Sequence, residues 1–417
     1  MGVFSQFLSL RERVGGAVFV LLGQAAQSVG SFVTGLVIAR AAGQEELGLF
    51  ALGFSFCFLV TCLGDTLVAT PYTYFSSQEG GRQSGILKAG LVGSFLVGLL
   101  VCLLIVAAAI LGVESLRGLV FTLPLAVIGL VLREFVRRHL YVAGKLTSVL
   151  LRDLLSCALQ LALIFLLAAA DWLSAGTAFL AIGLAALLPV LGFLGWGMFA
   201  GQASTSSEIF TWLSRFFGYG HWLVLGTACH VASVQLYPWL ALAGGGVRNA
   251  GVFAVCMALT NLMNPLLVGL TNYFRPKFMA NYRDACSSGF FAYVLRISML
   301  FLAPALLFLI VVAVEGDRLL VAIYGESYRE GSSALFYMGF GVVAVALSAP
   351  LQLALLAVRA PVTNLIYHAF ALLILLLLSA VFWPHLSTTT LGFFYGGVNL
   401  AALGVLFFLF LRRVVFR

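Results

Sequence analysis

Charged residues in this chain are confined to short gaps between apolar stretches of about 20 residues or more, the length a helix needs to cross ~30 Å of hydrocarbon. Asp, Glu, Lys and Arg make up 9% of the 417 residues, while 62% are hydrophobic and the mean hydropathy is +1.10. Lipid offers no partner to a backbone N–H or C=O, so each crossing segment must satisfy its own hydrogen bonds. The expected fold is therefore all-α and polytopic.

The pattern predicts twelve spans, near 14–40, 46–75, 86–111, 117–140, 147–170, 176–199, 219–243, 249–274, 289–314, 332–357, 361–383 and 389–411. The longest non-apolar stretches, 201–218 and 315–331, are too short for a folded extramembrane domain. Of the 23 Lys and Arg residues, all but Arg40, Arg117, Arg248, Arg318 and Arg329 fall on one face of this topology. The positive-inside rule makes that face cytoplasmic, together with both termini. Arg11 and Arg13 before a long first span read as a retained helix rather than a cleaved signal.

The formal charge of +8 calls for no nucleic acid, because basic residues at the inner headgroup layer meet anionic membrane lipid. Seven cysteines, six of them inside spans, form neither a disulfide framework nor a metal-ligand spacing, so no metal or cofactor is expected. Lysine occurs only at 88, 145 and 277, and none lies in a phosphate-binding loop, which excludes an ATPase of the P-loop type. Metalloprotease, serine-hydrolase and Cys-x-x-Cys motifs are also missing. A transporter, rather than an enzyme, is the class expected.

The chain also repeats. Ala41-Ala42-Gly43-Gln44-Glu45-Glu46-Leu47-Gly48-Leu49-Phe50-Ala51 follows the first span, and Gly244-Gly245-Gly246-Val247-Arg248-Asn249-Ala250-Gly251-Val252-Phe253-Ala254 follows the seventh. The matching place of Gly-x-Phe-Ala implies two parallel six-helix lobes, 1–200 and 219–417, joined by an interfacial linker at 201–218.

Polar side chains inside lipid are costly, so their placement signals function. They concentrate in the opening pair of helices of each lobe: Gln24, Gln27, Ser28, Ser31 and Thr34; Ser55, Thr61, Asp65, Thr66 and Thr70; Thr227, His230, Ser233 and Gln235; Thr260, Asn261, Asn264, Thr271 and Asn272. Such groups either bond helices together or line a cavity. Their recurrence in equivalent helices favours a wet cavity, with Gln24, Gln27, Ser31, Thr61, His230, Asn261 and Asn264 as substrate-cavity candidates. Helices five, ten and eleven hold fewer such groups, among them Ser156, Gln160 and His368.

Asp65, after Gly64, either binds a coupling cation or proton, or is a structural carboxylate paired with a basic residue. His230 either bonds substrate or carries a proton, or is satisfied by a carbonyl. Cations near helix ends, Arg40, Arg137, Arg138, Arg275 and Lys277, are the headgroup-binding candidates, since guanidinium binds phosphate bidentately. Arg133, Lys145 and Arg152 lie beside them, with Glu134 and Asp153. Snorkelling and topology determination are the competing explanations for these cations.

The run Gly35–Ala51, the Gly64-Asp65 step and Arg137-Arg138-His139-Leu140-Tyr141-Val142-Ala143-Gly144-Lys145 resemble the polysaccharide transporters of the multidrug/oligosaccharidyl-lipid/polysaccharide (MOP) exporter superfamily. The resemblance implies two six-helix lobes working by alternating access, a cavity lined by helices 1, 2, 7 and 8, and a bacterial cytoplasmic-membrane location. It implies a flippase that moves undecaprenyl-pyrophosphate-linked oligosaccharide from the inner to the outer leaflet for surface polysaccharide biosynthesis. A polysaccharide polymerase and glycosyltransferases are then the expected partners. The alternatives are a cation-coupled (H+ or Na+) multidrug or metabolite exporter of the same fold, with Asp65 as coupling site, and a membrane scaffold without transport of its own.

Overall fold

The computed structural model describes residues 2–78, 83–112, 114–197, 205–284, 287–358, 360 and 362–415, and nearly all of them are helical. The α-helices are α1 (Gly2–Ala41), α2 (Gly43–Gly64), α3 (Thr70–Gln78), α4 (Gln83–Ile110), α5 (Leu123–Val142), α6 (Leu146–Ala169), α7 (Ala175–Gly197), α8 (Ser206–Asn261), α9 (Asn264–Asp284), α10 (Ser287–Tyr324), α11 (Ser332–Ala357), α12 (Val362–Val381) and α13 (Thr388–Phe410). Ten helical segments among the described residues are long and apolar enough to cross a membrane. One of them, Leu223–Met279, contains a backbone break and so holds two passes. A further pass, α5, falls outside that set because it carries Arg133, Glu134, Arg137 and Arg138.

Breaks and extensions follow from single residues. Within α8 the backbone leaves helical geometry at Gly245 (φ −153°) and Gly246 (φ 76°), the second in the left-handed region where a side chain is strained. The eighth span, expected as one helix over 249–274, is instead interrupted at Leu262–Met263. Pro265 has no N–H to donate to the Asn261 carbonyl four residues back and its ring would clash with it, while in the first turn of α9 the missing N–H costs nothing. Across the break Asn264 Nδ2 donates to Asn261 Oδ1 at 3.0 Å. The ninth span runs to Tyr324 rather than ending near 314. Arg318 holds Glu315 one turn back at 2.9 Å, and Gly325, at φ 111°, ends the helix.

The chain forms two compact units, Met1–Ala41 with Gly53–Thr227 and Ala42–Leu52 with Ala228–Arg417. In the first, α1 packs on α6, α4 and α7 both pack on α5, and α6 packs on α7. In the second, α10 and α13 both pack on α11, and α12 packs on α13. The third, fourth, fifth and sixth passes of each half thus pair identically. Within the second unit the two copies of Gly-x-Phe-Ala meet. A Cβ on Gly48 would collide with the carbonyl oxygen of Val247, and one on Gly251 with that of Gln44. The contact is reciprocal, since the same repeat offset relates Gly48 to Gly251 and Gln44 to Val247. Only glycine allows backbones this close.

Candidate functional site

Where α5 turns into α6, three helices of the first unit converge on a buried charge network. Helical spacing puts Arg133, Arg137 and Tyr141 on one face of α5, with Glu134 one turn from Arg137. The central carboxylate is Asp153 of α6, only 3% exposed. Its Oδ1 accepts from Gln27 Nε2 of α1 at 2.9 Å, and its Oδ2 lies 3.3 Å from Arg137 Nε. A carboxylate so buried persists only with a charged partner and aligned donors. Gly23 makes room for it, because a Cβ there would stand 2.6 Å from Asp153 Oδ2.

Arg137 reaches further, to Gln24 Oε1 at 3.3 Å, Gln27 Oε1 at 3.4 Å, Glu134 Oε2 at 3.4 Å and the Tyr141 hydroxyl at 3.2 Å. Arg133 bonds Glu134 at 3.4 Å and Ser156 Oγ at 3.2 Å, and its Nε is buried without an acceptor. These guanidinium contacts are all longer than the 2.7–2.9 Å typical of charge-assisted bonds. Both arginines also line a cleft among α5, α6 and α7, together with Arg152, Asp153 and Pro189.

The α6–α7 seam explains two further polar groups. Pro189 lacks an N–H, which orphans the Ala185 carbonyl one turn back. Ser156 Oγ supplies the missing donor at 2.9 Å. Arg152 bonds the Pro189 carbonyl and lies over the Phe193 ring at 5.4 Å. On the α1–α6 seam, Gln160 Nε2 donates to Thr34 Oγ1 at 2.9 Å.

Between α2 and α3 the helix widens into a π-turn, Asp65–Ala69, in which the Thr70 N–H bonds the Asp65 carbonyl. An ordinary α-turn would drive the ring of Pro71 into the Leu67 carbonyl. Such turns recur at functional sites. Here the turn accompanies an ion pair of Asp65 with Arg138 of α5, and Thr70 Oγ1 lies 3.4 Å from the same carboxylate. Nearby Thr66 and Thr227 share a hydroxyl contact of 2.7 Å, and Tyr72 OH meets His139 Nδ1 at 2.6 Å.

In the second unit, His230 of α8 and His368 of α12 meet edge to face with ring centroids 4.5 Å apart. Ser233 Oγ donates to the His230 carbonyl at 2.8 Å and lies 3.3 Å from His368 Nδ1. Among the described residues no three His, Cys, Asp or Glu side chains cluster as metal ligands would.

No protein-family model matches the sequence, and no curated protein does. Solved structures do. A multidrug resistance MATE family transporter of the MOP superfamily, in its inward-facing conformation, aligns with a TM-score of 0.77 at 15% identity, over 93% of this chain and 94% of that one. The lipid II flippase MurJ, inward closed, aligns at 0.73 and 11% identity over 94% and 87%. A MOP superfamily transporter from Pyrococcus furiosus Vc1 (DSM3638) aligns at 0.66 and 15% over 97% and 95%. The chain has the MOP transporter fold.

On this MOP fold the sequence candidates separate. Gln24, Gln27 and Arg137 come together in the α1–α5–α6 network, and Asp65 and Arg138 form the pair beside it. His230 meets His368. Thr61 bonds back to the carbonyls of Cys57 and Phe58 in its own helix. Asn261 and Asn264 bridge the α8–α9 break. Ser31, Arg40 and Arg275 are exposed, and Lys277 Nζ sits 3.6 Å above the Tyr273 ring.

Asp65 is half-exposed, whereas Asp153 is the buried acid of the first unit's network. Its signal was available as an acid inside the apolar stretch 147–170. Arg133 and His368 were visible as polar groups in spans, but what they face was not.

Proposed function

We propose that the chain is a flippase that carries undecaprenyl-pyrophosphate-linked oligosaccharide from the inner to the outer leaflet of a bacterial cytoplasmic membrane by alternating access. Both termini would then be cytoplasmic, and the network at the α5–α6 turn would face the leaflet where the cargo is made. The observation that carries the reading is the charge balance of that region. Four guanidiniums, Arg133, Arg137, Arg138 and Arg152, stand against three carboxylates, and each carboxylate has an arginine partner: Asp65 with Arg138, Glu134 with Arg133 and Arg137, and Asp153 with Arg137. A cationic drug or coupling cation would have to displace an arginine to reach an acid. At Arg133 and Arg137 a diphosphate would exchange long guanidinium contacts for short charge-assisted ones.

The fold alone leaves the cargo's charge open, because the Pyrococcus furiosus neighbour is described as having a binding pocket of reversed polarity that suggests a different function. That MurJ is a lipid II flippase supports a lipid-linked cargo for this architecture. Transport, not catalysis, is the activity, and the natural partners are the glycosyltransferases that build the glycan and the polymerase that consumes it.

Deleting the gene should strand lipid-linked repeat units on the cytoplasmic leaflet and remove surface polysaccharide. Normal surface polysaccharide in the deletion strain would defeat the reading. In reconstituted liposomes, Arg133→Gln should slow glycolipid translocation about ten- to a hundredfold, the loss of one charge-assisted contact of ~1.5–3 kcal/mol.

A further inference from the structure

Of the four guanidiniums near the α5–α6 turn, three meet a carboxylate and Arg152 does not. Its Nη1 donates to the Pro189 carbonyl, and its face lies over the Phe193 ring. Asp153, the next residue in the chain, is held instead by Gln27 and Arg137. The surplus cation of this region is thus a single side chain. A guanidinium has five N–H donors, and a ring beneath its face takes none of them. Most of the donors of Arg152 are left for another partner.

That partner comes from the lipid side. Successive residues of a helix point about 100° apart, so Arg152 does not share the inward direction of Asp153. Leu151, Leu154 and Leu155 of α6 are 46–62% exposed, and Leu188 and Leu191 of α7 are 50% and 56% exposed. Among the described residues, every exposed position of α7, and of α6 from Leu151 onward, is apolar. Such stripes are the faces that acyl chains cover. Arg152 lies half-buried in the seam between them, lining one cleft with Arg133, Pro189 and Val190.

Its depth fits a phosphate. Arg152 stands six residues into the 24-residue α6, about 9 Å along a helix of about 36 Å. Across a hydrocarbon core of ~30 Å, its guanidinium is within a side chain's length of the headgroup layer. Lys145, immediately before α6, is exposed two turns earlier on the same side. A basic pocket between spans at this level suits the headgroup of an anionic lipid.

We propose that the α6–α7 seam holds one anionic glycerophospholipid from the leaflet that meets the start of α6. Its phosphate sits on Arg152 below Lys145, and its chains lie along the leucine stripes. The site goes beyond the cargo reading and does not rest on it.

Native mass spectrometry of the full chain, in detergent with equal amounts of phosphatidylglycerol and phosphatidylcholine, tests this. One phosphatidylglycerol should be retained in preference to phosphatidylcholine. Arg152→Gln should reduce that preference about tenfold or more, as the loss of one charge-assisted contact does. Ser156→Ala loosens the same seam without removing a charge, and Arg412→Gln removes a cation from the second unit; both should leave the lipid in place. Preference unaffected by Arg152→Gln, or lost as fully in either control, would overturn the site. Should Arg152→Gln fail to fold, Arg152→Lys keeps the charge without the planar fork and should lose part of the preference. Unchanged preference in that variant would likewise overturn the site.

Two additions separate the sources of phosphate. Glycerol 1-phosphate has no chains to lay on the stripes and should not displace the lipid; displacement would make this a free-phosphate site instead. Undecaprenyl-diphosphate trisaccharide should bind without expelling phosphatidylglycerol. Expulsion would assign the cleft to the cargo, overturning the phospholipid site while supporting the flippase reading. Retained phosphatidylglycerol with no translocation of the glycolipid would support the site and defeat the flippase reading.

Discussion

Asp153 and Arg137 show how a single carboxylate organises a membrane interior. Asp153 is 3% exposed, accepts one hydrogen bond from Gln27 of α1 and is ion-paired with Arg137 of α5, so removing Arg137 leaves a charge with too few partners. Arg137→Met should destabilise the fold by ~3–5 kcal/mol, and adding Asp153→Leu should recover much of that loss. Equilibrium unfolding in mixed micelles reads both values; equal stability of wild type and Arg137→Met would contradict the network. A second prediction concerns Ser156, whose hydroxyl answers the carbonyl that Pro189 orphans. Ser156→Ala should cost ~1–3 kcal/mol in the wild-type background and much less beside Pro189→Ala, which restores the backbone donor. Equal costs in the two backgrounds would show that the serine does something else. At this scale the sequence was only partly legible. Residue type and span marked Gln24, Gln27, Asp65, Arg137, Arg138 and His230 as polar groups needing partners. Asp153, Ser156 and His368 acquire their meaning from helices distant in sequence, so spacing along one helix could not reveal it.

Helix breaks and crossings were legible where a backbone rule acts locally. The Gly244–Gly246 run announces its interruption, whereas the break before Pro265 is not read from the sequence because the apolar content carries the eighth span across it. The π-turn at Asp65–Ala69 was less visible, because it depends on how Pro71 is accommodated within a continuous helix. The repeated Gly-x-Phe-Ala was legible as a pattern, but its physical reason lies in the crossing: Gly48 and Gly251 each lie against the backbone four residues before the other. Gly48→Leu or Gly251→Leu should therefore destabilise the protein by ~1–3 kcal/mol or more, and Gly43→Ala should act differently, through its left-handed φ of 89° rather than through a clash. Thermal unfolding of the purified chain measures this. Leucine tolerated at both crossing positions would contradict the close approach.

For the whole molecule, the bilayer makes the architecture readable. Apolar runs long enough to span, separated by charged gaps, leave few alternatives to a helical bundle. Helix ends are less constrained, so α10 runs on past the expected lipid boundary through a pair of its own charges. Cargo lies at the far end of this scale, because the same fold is found in proteins described as multidrug transporters and in one described as a lipid II flippase. What separates the candidates here is charge. Every interior acid of the first unit is matched to arginine, with guanidinium in excess. The most direct test is to offer the purified chain, in one liposome preparation, an undecaprenyl-diphosphate oligosaccharide and a cationic dye. The account predicts translocation of the glycolipid, slowed by Arg133→Gln, and no transport of the dye. Dye transport with the glycolipid left in its original leaflet would contradict it.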